Sequence, residues 1–380
     1  MKSISSTLLC MLMLMVCASS VVNAQTKEKP KKLIIAVNTP HRIGYFADSE
    51  GTSLFKKQFE EVHKFSEGLA RVHQNGKYGY INTKGELVIP CIYDRAEDFS
   101  EGLAPVKKKE KWGYINTQGK QVIPCIYDEA GSFSEGLARV HQNGKRGFIN
   151  TQGKVVVPCI YDWALDFSEG LVPVTQNYKD GFINTKGEVV VPCIYDRAED
   201  FSEGLARVKQ NDKWGYINTQ GEEIIPCIYD DTWGFSEGLA GVGQNGKFGF
   251  INTQGEVVVP CIYDPVGSFS EGLASVRRNS VWGFINAQGE VVLPFIYDWV
   301  AVFSEGLAVV RQGDLENGKY GYINTKGEVV VPCIYDTALN FSEGLATVYQ
   351  NGKYSIINTQ GKVIVAECDG VFTSWSVVEL

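Results

Sequence analysis

Beyond about residue 65 the chain is written in short runs of apolar and β-branched residues separated by turn residues. GLARVHQ (68–74), KYGYIN (77–82) and ELVIP (86–90) each have the length and composition of a strand. Asn75-Gly76 joins the first two as a two-residue hairpin signal, because both residues tolerate positive φ. Thr83-Lys84-Gly85 supplies the second turn, and Pro90 ends the third strand because it has no N–H for a ladder. Asp94 is placed to cap one helical turn over RAEDF, with Ala96 and Phe99 on its inner side. Ser100-Glu101-Gly102 then turns the chain back into the next strand. The predicted unit is a three-stranded antiparallel meander plus one turn of helix.

The unit recurs. FSEGLA, or a near copy, begins at Phe65, Phe99, Phe133, Phe167, Phe201, Phe235, Phe269, Phe303 and Phe341, in steps of 34 residues with a last step of 38. The four extra residues fall in GDLENG, a turn where insertion costs little. A fixed period of this size means a solenoid, a propeller or another array. In the second strand Tyr78 and Tyr80 share one face while Gly79 and Ile81 share the other; in the third, Leu87 and Ile89 oppose Val88 and Pro90. Both faces are apolar, so each unit is expected to be covered on both sides by its neighbours. The fold class expected is all-β, with tandem 34-residue units stacked as an open β-solenoid or superhelix. A closed, β-propeller-like ring is the alternative. Faded copies at 44–65 and after Val363, with Trp375 where the next Phe would fall, favour free ends capped by degenerate units. The division expected is a signal peptide at 1–24, a lead-in and capping repeat at 25–64, nine repeats at 65–374 and a cap remnant at 375–380.

The pattern aromatic-Gly-aromatic-Ile-Asn-Thr-x-Gly, then a β-rich run, Pro and Tyr-Asp resembles the WG repeat of bacterial WG-repeat proteins. Trp stands at the named position in Trp112-Gly113, Trp214-Gly215 and Trp282-Gly283; elsewhere the position holds Tyr78, Arg146, Asp180, Phe248, Tyr320 and Tyr354. The units carrying Arg146 and Asp180 are expected to be frayed or locally exposed. The resemblance implies a binding or scaffold module and no activity.

The first 24 residues follow a different rule. Lys2, the run LLCMLMLMVCASSVV and the small-x-small Val22-Asn23-Ala24 read as a secretory signal peptide. The alternatives are a retained anchor, for which the run is short against the roughly 20 residues a span needs, and a lipidated Cys17, disfavoured by the bulk of Val16. The chain is therefore expected in the periplasm, at the cell surface or secreted, with no membrane span in the mature chain. A net charge of −8 argues against nucleic acid, which needs a basic footprint.

Repetition also disposes of most candidate chemistry. Cys91, Cys125, Cys159, Cys193, Cys227, Cys261 and Cys333 occupy one position of the unit, which Phe295 fills elsewhere, so it is read as an apolar slot. Disulfides between neighbours need Cα atoms within about 7 Å, closer than stacked sheets are expected to bring them. No C-x-x-C occurs, and neither a metal nor a cofactor is expected. The carboxylates of Ser-Glu-Gly and Tyr-Asp are too often repeated for an acid pair; they are expected to bond turn and helix-start N–H groups. A calcium ladder lacks a ligand-rich loop. Four histidines, His41, His63, His73 and His141, accompany no nucleophile motif, and the protein is expected not to be an enzyme.

Two positions vary while the rest repeats. One follows Tyr-Asp: Arg95, Glu129, Trp163, Arg197, Asp231, Pro265, Trp299, Thr337. The other lies between Ala and Val of the first strand: Arg71, Pro105, Arg139, Pro173, Arg207, Gly241, Ser275, Val309, Thr347. They are either tolerant surface or a recognition face, with Arg95, Arg197 and the aromatic anchors Trp163, Trp233 and Trp299 as candidates. The two functions expected are binding of a protein partner through this face, or binding of an envelope polysaccharide stacked on the tryptophans. Exposure of Trp163 and Trp299 beside polar groups is what the second requires.

Overall fold

A computed structural model describes residues 31–38, 44–48, 52–314, 316–368 and 372–379. The predicted signal peptide lies outside the described residues. The described chain is all-β, without a helix. It forms nine consecutive four-stranded antiparallel sheets and one three-stranded sheet made from the two ends. We number the nine units by their sheets: 61–93, 95–127, 129–161, 163–195, 197–229, 231–263, 266–297, 299–335 and 337–368.

Unit 2 shows the plan: strands Arg95–Ala96, Leu103–Lys108, Lys111–Asn116 and Gln121–Tyr127, each paired with the next. The expected three-stranded unit with a helical turn is therefore corrected to a four-stranded sheet. Arg95 and Ala96 pair with Lys107 and Val106, and the Asp94 and Glu97 N–H groups donate to the Lys107 and Pro105 carbonyls. Asp94 is unavailable as a cap because its carboxylate accepts from Lys77 Nζ in unit 1 and from the Lys109 N–H in unit 2. Ser-Glu-Gly-Leu is a tight hairpin inside the sheet. Ser100 and Leu103 exchange two backbone bonds across Glu101 and Gly102, whose φ angles of 53° and 78° are those of a type I′ turn.

The core lies between sheets. Leu103, Tyr114, Ile123 and Tyr127 of unit 2 pack on Phe133, Ala138, Val140 and Ile149 of unit 3, and this seam recurs along the array. The third strand meets the expectation that both faces are covered: Gly113, Tyr114 and Ile115 are all buried. The outer strand does not. Val122 and Ile126 are exposed, as are Val189, Ile194, Val257 and Ile262 in later units, because the unit's last strand is a sheet edge. That edge is protected in another way. Pro124 withholds an N–H, and the pairing register slips between Ile123 and Tyr127, so a foreign strand finds no regular ladder.

A second seam runs through the hairpins. Ser100 Oγ donates to the Phe133 carbonyl at 2.8 Å, and the Gly136 N–H donates to the Glu101 carboxylate at 3.0 Å. The serine links continue from Ser66–Phe99 to Ser304–Phe341, and the glutamate links from Gly102–Glu67 to Gly344–Glu305. The repeated glutamates and aspartates thus bond turn N–H groups, as the sequence suggested.

Strand Lys31–Asn38 pairs on one side with Gly44–Ala47 and on the other with Phe372–Glu379. Ile34, Ala36 and Phe46 pack on Val62, Phe65, Ala70 and Val72 of unit 1, while Ala47 packs with Leu345, Ile356 and Val365 of unit 9. No sheet closes on itself, and the run of separate sheets fits the solenoid-like expectation. Its two ends nonetheless share one sheet that touches the first and last units, which is the feature of the ring-like alternative.

Candidate functional site

Each sheet carries one row of side chains from its first strand to its last. In unit 5 the pairing runs Arg197–Lys209–Trp214–Tyr229, and in unit 8 Trp299–Arg311–Tyr320–Tyr335. The first residue of the row is the variable one after Tyr-Asp, and it is exposed in seven of eight units; Pro265 is half-buried. The middle pair holds at least one large side chain in every unit but one. Unit 4 has Trp163–Thr175–Asp180–Tyr195, with two small residues at the centre. The volume they leave is a cleft of about 490 Å³ between units 4 and 5.

Trp163 is one wall of this cleft and is 50% exposed. The Arg146 guanidinium of unit 3 sits 3.3 Å from the centre of its ring. Asp180 Oδ1 accepts from Thr175 Oγ1 at 2.7 Å, and Oδ2 accepts from the Ala198 N–H at 2.9 Å. Unit 5 supplies Arg197 and Glu199 at the rim, 3.0 Å apart, and Glu199 also pairs with Arg207 at 3.0 Å. Asp196 is held by Lys179 at 2.5 Å. Asp180 has no cationic partner among these contacts. Both units that break the aromatic pattern are fully formed sheets, so the expectation that they fray is corrected: Arg146 packs on an indole, and Asp180 ties its strand to the next unit.

Trp163 and Arg197 are thus brought together. Trp233, Trp299 and Arg95 are not, since they stand in units 6, 8 and 2. Trp299 is 39% exposed and meets Tyr320 edge-on at 5.8 Å. Trp233 is half-buried, edge-on to Phe248 at 5.1 Å, and Gly241 beneath it leaves the room it fills. Arg95 is exposed beside Lys107. The second variable position is not surface. Pro105, Pro173, Gly241, Ser275, Val309 and Thr347 are buried, and the half-buried Arg139 donates to the Ala164 carbonyl of the next unit at 2.7 Å. It is a seam residue. Among the described residues no group of His, Cys, Asp or Glu is arranged to hold a metal, and no helix is long and apolar enough to cross a membrane.

The family model for the WG containing repeat matches nine times in tandem, at 46–78, 78–112, 112–145, 147–179, 181–214, 214–248, 248–281, 282–315 and 320–354. The chain belongs to the WG-repeat family. No curated protein matches it. Among solved structures it is similar to a eukaryotic initiation factor, at 11% identity and a TM-score of 0.55 over 90% of this chain and 98% of that one. This is a likeness of fold. BamB from Moraxella catarrhalis follows at 10% identity, with a TM-score of 0.34 over 70% of this chain and 88% of that one.

The WG pair has a structural task. A Cβ on Gly113 would stand 2.5 Å from the Ile123 carbonyl oxygen and 2.7 Å from the Cys125 nitrogen, atoms of the bulged edge strand of the same sheet. Gly283 is in the same position against Leu293. The residue before the glycine lies in the row and has more freedom: Trp214 is buried under Arg207, while Trp112 and Trp282 are half-buried. The seven WG-repeat cysteines from Cys91 to Cys333 are free and half-buried, and burial pushes their thiols up.

His63 is a half-buried titratable group at the first seam. Burial first and the Arg71 guanidinium second hold its pKa below the ordinary value, against Glu61, Asp98 and Glu97. The folded chain prefers neutral imidazole. That stability is complete above the unfolded value of about 6.5 and is lost as pH falls through the lower folded value. The urea midpoint should therefore drop as pH falls below about 6.5, and should drop less in His63→Gln. Equal slopes for the two proteins would acquit His63. Below this window the exposed aspartates of the Asp94 type take over. Lys77 and the Lys109 N–H hold Asp94 below the usual carboxylate range, so its contribution is lost only as pH falls through that depressed value.

Proposed function

We propose that the protein is an exported, non-catalytic repeat scaffold that binds a protein partner through the row of residues following each Tyr-Asp. One observation carries this reading. The residue after Tyr-Asp varies along the array and is exposed at seven of its eight occurrences, while the tyrosine before it is buried at all eight. Packing therefore does not dictate its identity, and nine sheets hold the series in a fixed frame. The N-terminal run supports export. The test is cross-linking to the host's envelope proteins with residues 25–380 and with an Arg95→Glu/Arg197→Glu variant. A defined partner that the double variant loses supports the reading; identical partners for both would remove this face from it.

A second reading, binding of an envelope polysaccharide, has its own support in the exposure of Trp163 and Trp299, the former beside Asp180 and Arg197. Co-sedimentation with purified host polysaccharide fractions should then occur and should fail for Trp163→Ala/Trp299→Ala. A native chain that stays in the supernatant with every fraction ends this reading.

A further inference from the structure

We propose that the cleft between units 4 and 5 is a binding site for one neutral sugar ring, held between the Trp163 indole and the Asp180 carboxylate. This rests on the polysaccharide reading and assigns it one place.

The cleft is a departure from the repeat. Lys209 and Trp214 stand at the equivalent positions of the row in unit 5, and Arg311 and Tyr320 in unit 8. Unit 4 has Thr175 and Asp180 instead, in a sheet whose pairing is otherwise that of its neighbours. The fold has given up side-chain volume here without giving up regularity. What remains is an aromatic wall with a few polar groups converging on it, the usual make-up of a small-ligand site.

The charges select the ligand class. Asp196 is held by Lys179, and Glu199 by Arg197 and Arg207. Arg146 already supplies the cation that one indole face can attract. An anionic ligand would have to displace one of these pairs, and a cation drawn to Asp180 would meet the Arg197 guanidinium at the same rim. Asp180 offers acceptor lone pairs beyond the two donors it holds, and the Arg197 guanidinium, 64% exposed, offers donors. A ring with hydroxyls around its edge and C–H bonds on its face meets both without disturbing an ion pair. Its apolar face lies against the free side of the indole, and its hydroxyls donate to Asp180 and accept from Arg197. A phosphate would face Asp180 and Glu199, and a lysine side chain would face Arg197.

The test is titration of residues 25–380 with glucose, galactose, mannose and N-acetylglucosamine, followed by tryptophan fluorescence and calorimetry. Glucosamine, galacturonate and a tetralysine peptide are the charged controls. Saturable binding of at least one neutral sugar is expected, with a loss of about tenfold or more in Trp163→Ala and in Asp180→Tyr. Asp180→Tyr restores the residue type found at this position in units 1, 8 and 9, so it fills the cleft while keeping the sheet. No saturation by any neutral sugar, unchanged binding in Asp180→Tyr, or binding of the charged controls alone would overturn the proposal. Co-sedimentation of Asp180→Tyr separates the two levels. If it still pellets with polysaccharide, the broader reading survives and this cleft is not its site; if the native chain neither pellets nor titrates, both fall.

Discussion

Gly113→Ala should destabilise the protein by about 4 kcal/mol or more, a loss reserved for changes that the surroundings cannot absorb. The added methyl meets backbone on three sides: the Ile123 oxygen at 2.5 Å, the Pro124 carbonyl carbon at 2.6 Å and the Cys125 nitrogen at 2.7 Å. None of these can rotate away as a side chain could. Relief requires the edge strand to part from its neighbour, and with it Ile123 and Tyr127 leave the seam shared with Phe133. Gly234→Ala is the control, since a Cβ there meets nothing within 4 Å; it should change stability by less than about 0.5 kcal/mol. Urea unfolding of the two variants makes the comparison. Similar midpoints would mean that the close approach in the WG pair is not what fixes the glycine.

Removal of residues 372–380 should have the second large effect. Strand Lys31–Asn38 would lose its longer partner and keep only the four residues Gly44–Ala47. The sheet that touches both unit 1 and unit 9 would become a two-stranded ribbon, which is marginal in water. We expect a loss of about 3 kcal/mol or more and a broader transition, as units at each end unfold ahead of the middle. Amide exchange should accelerate first at 31–38 and in units 1 and 9. Unchanged exchange there would mean that the end sheet contributes nothing to holding the array.

Much of this fold can be read from the chain because its signals are local and repeated. Asn-Gly turns, the Gly of Thr-x-Gly and the proline of the edge strand each act within a few residues, and the period states the architecture. The fourth strand is hidden for a physical reason. Arg95–Ala96 is too short for an alternation to register, and Ala96 and Phe99 are spaced as they would be on one face of a helical turn. What decides against the helix is distant in sequence: Lys77 and the Lys109 N–H claim the Asp94 carboxylate. The exposed outer strand was also hidden, because Val122 and Ile126 carry no mark of lying at an edge. Trp163 and Arg197 stand out in the sequence as members of a variable series. Thr175, Asp180 and Glu199 do not. A cleft made by missing volume appears only when the row is assembled, although an aspartate in a series that is aromatic except for Arg146 was its trace.

The shared end sheet bears on how many units the protein can have. In a stack with free ends, a copy gained or lost lengthens or shortens the molecule and leaves the remaining contacts as they were. Here each unit advances the chain by a set step, and after nine steps residues 372–379 arrive beside residues 31–38. Eight or ten steps would bring them elsewhere, leaving strand Lys31–Asn38 without its longer partner and Ala47 without its contacts in the last unit. Near-identical copies are therefore not interchangeable parts of an extensible ruler. The number nine is itself counted by the fold, at the one sheet where the first strand meets the last.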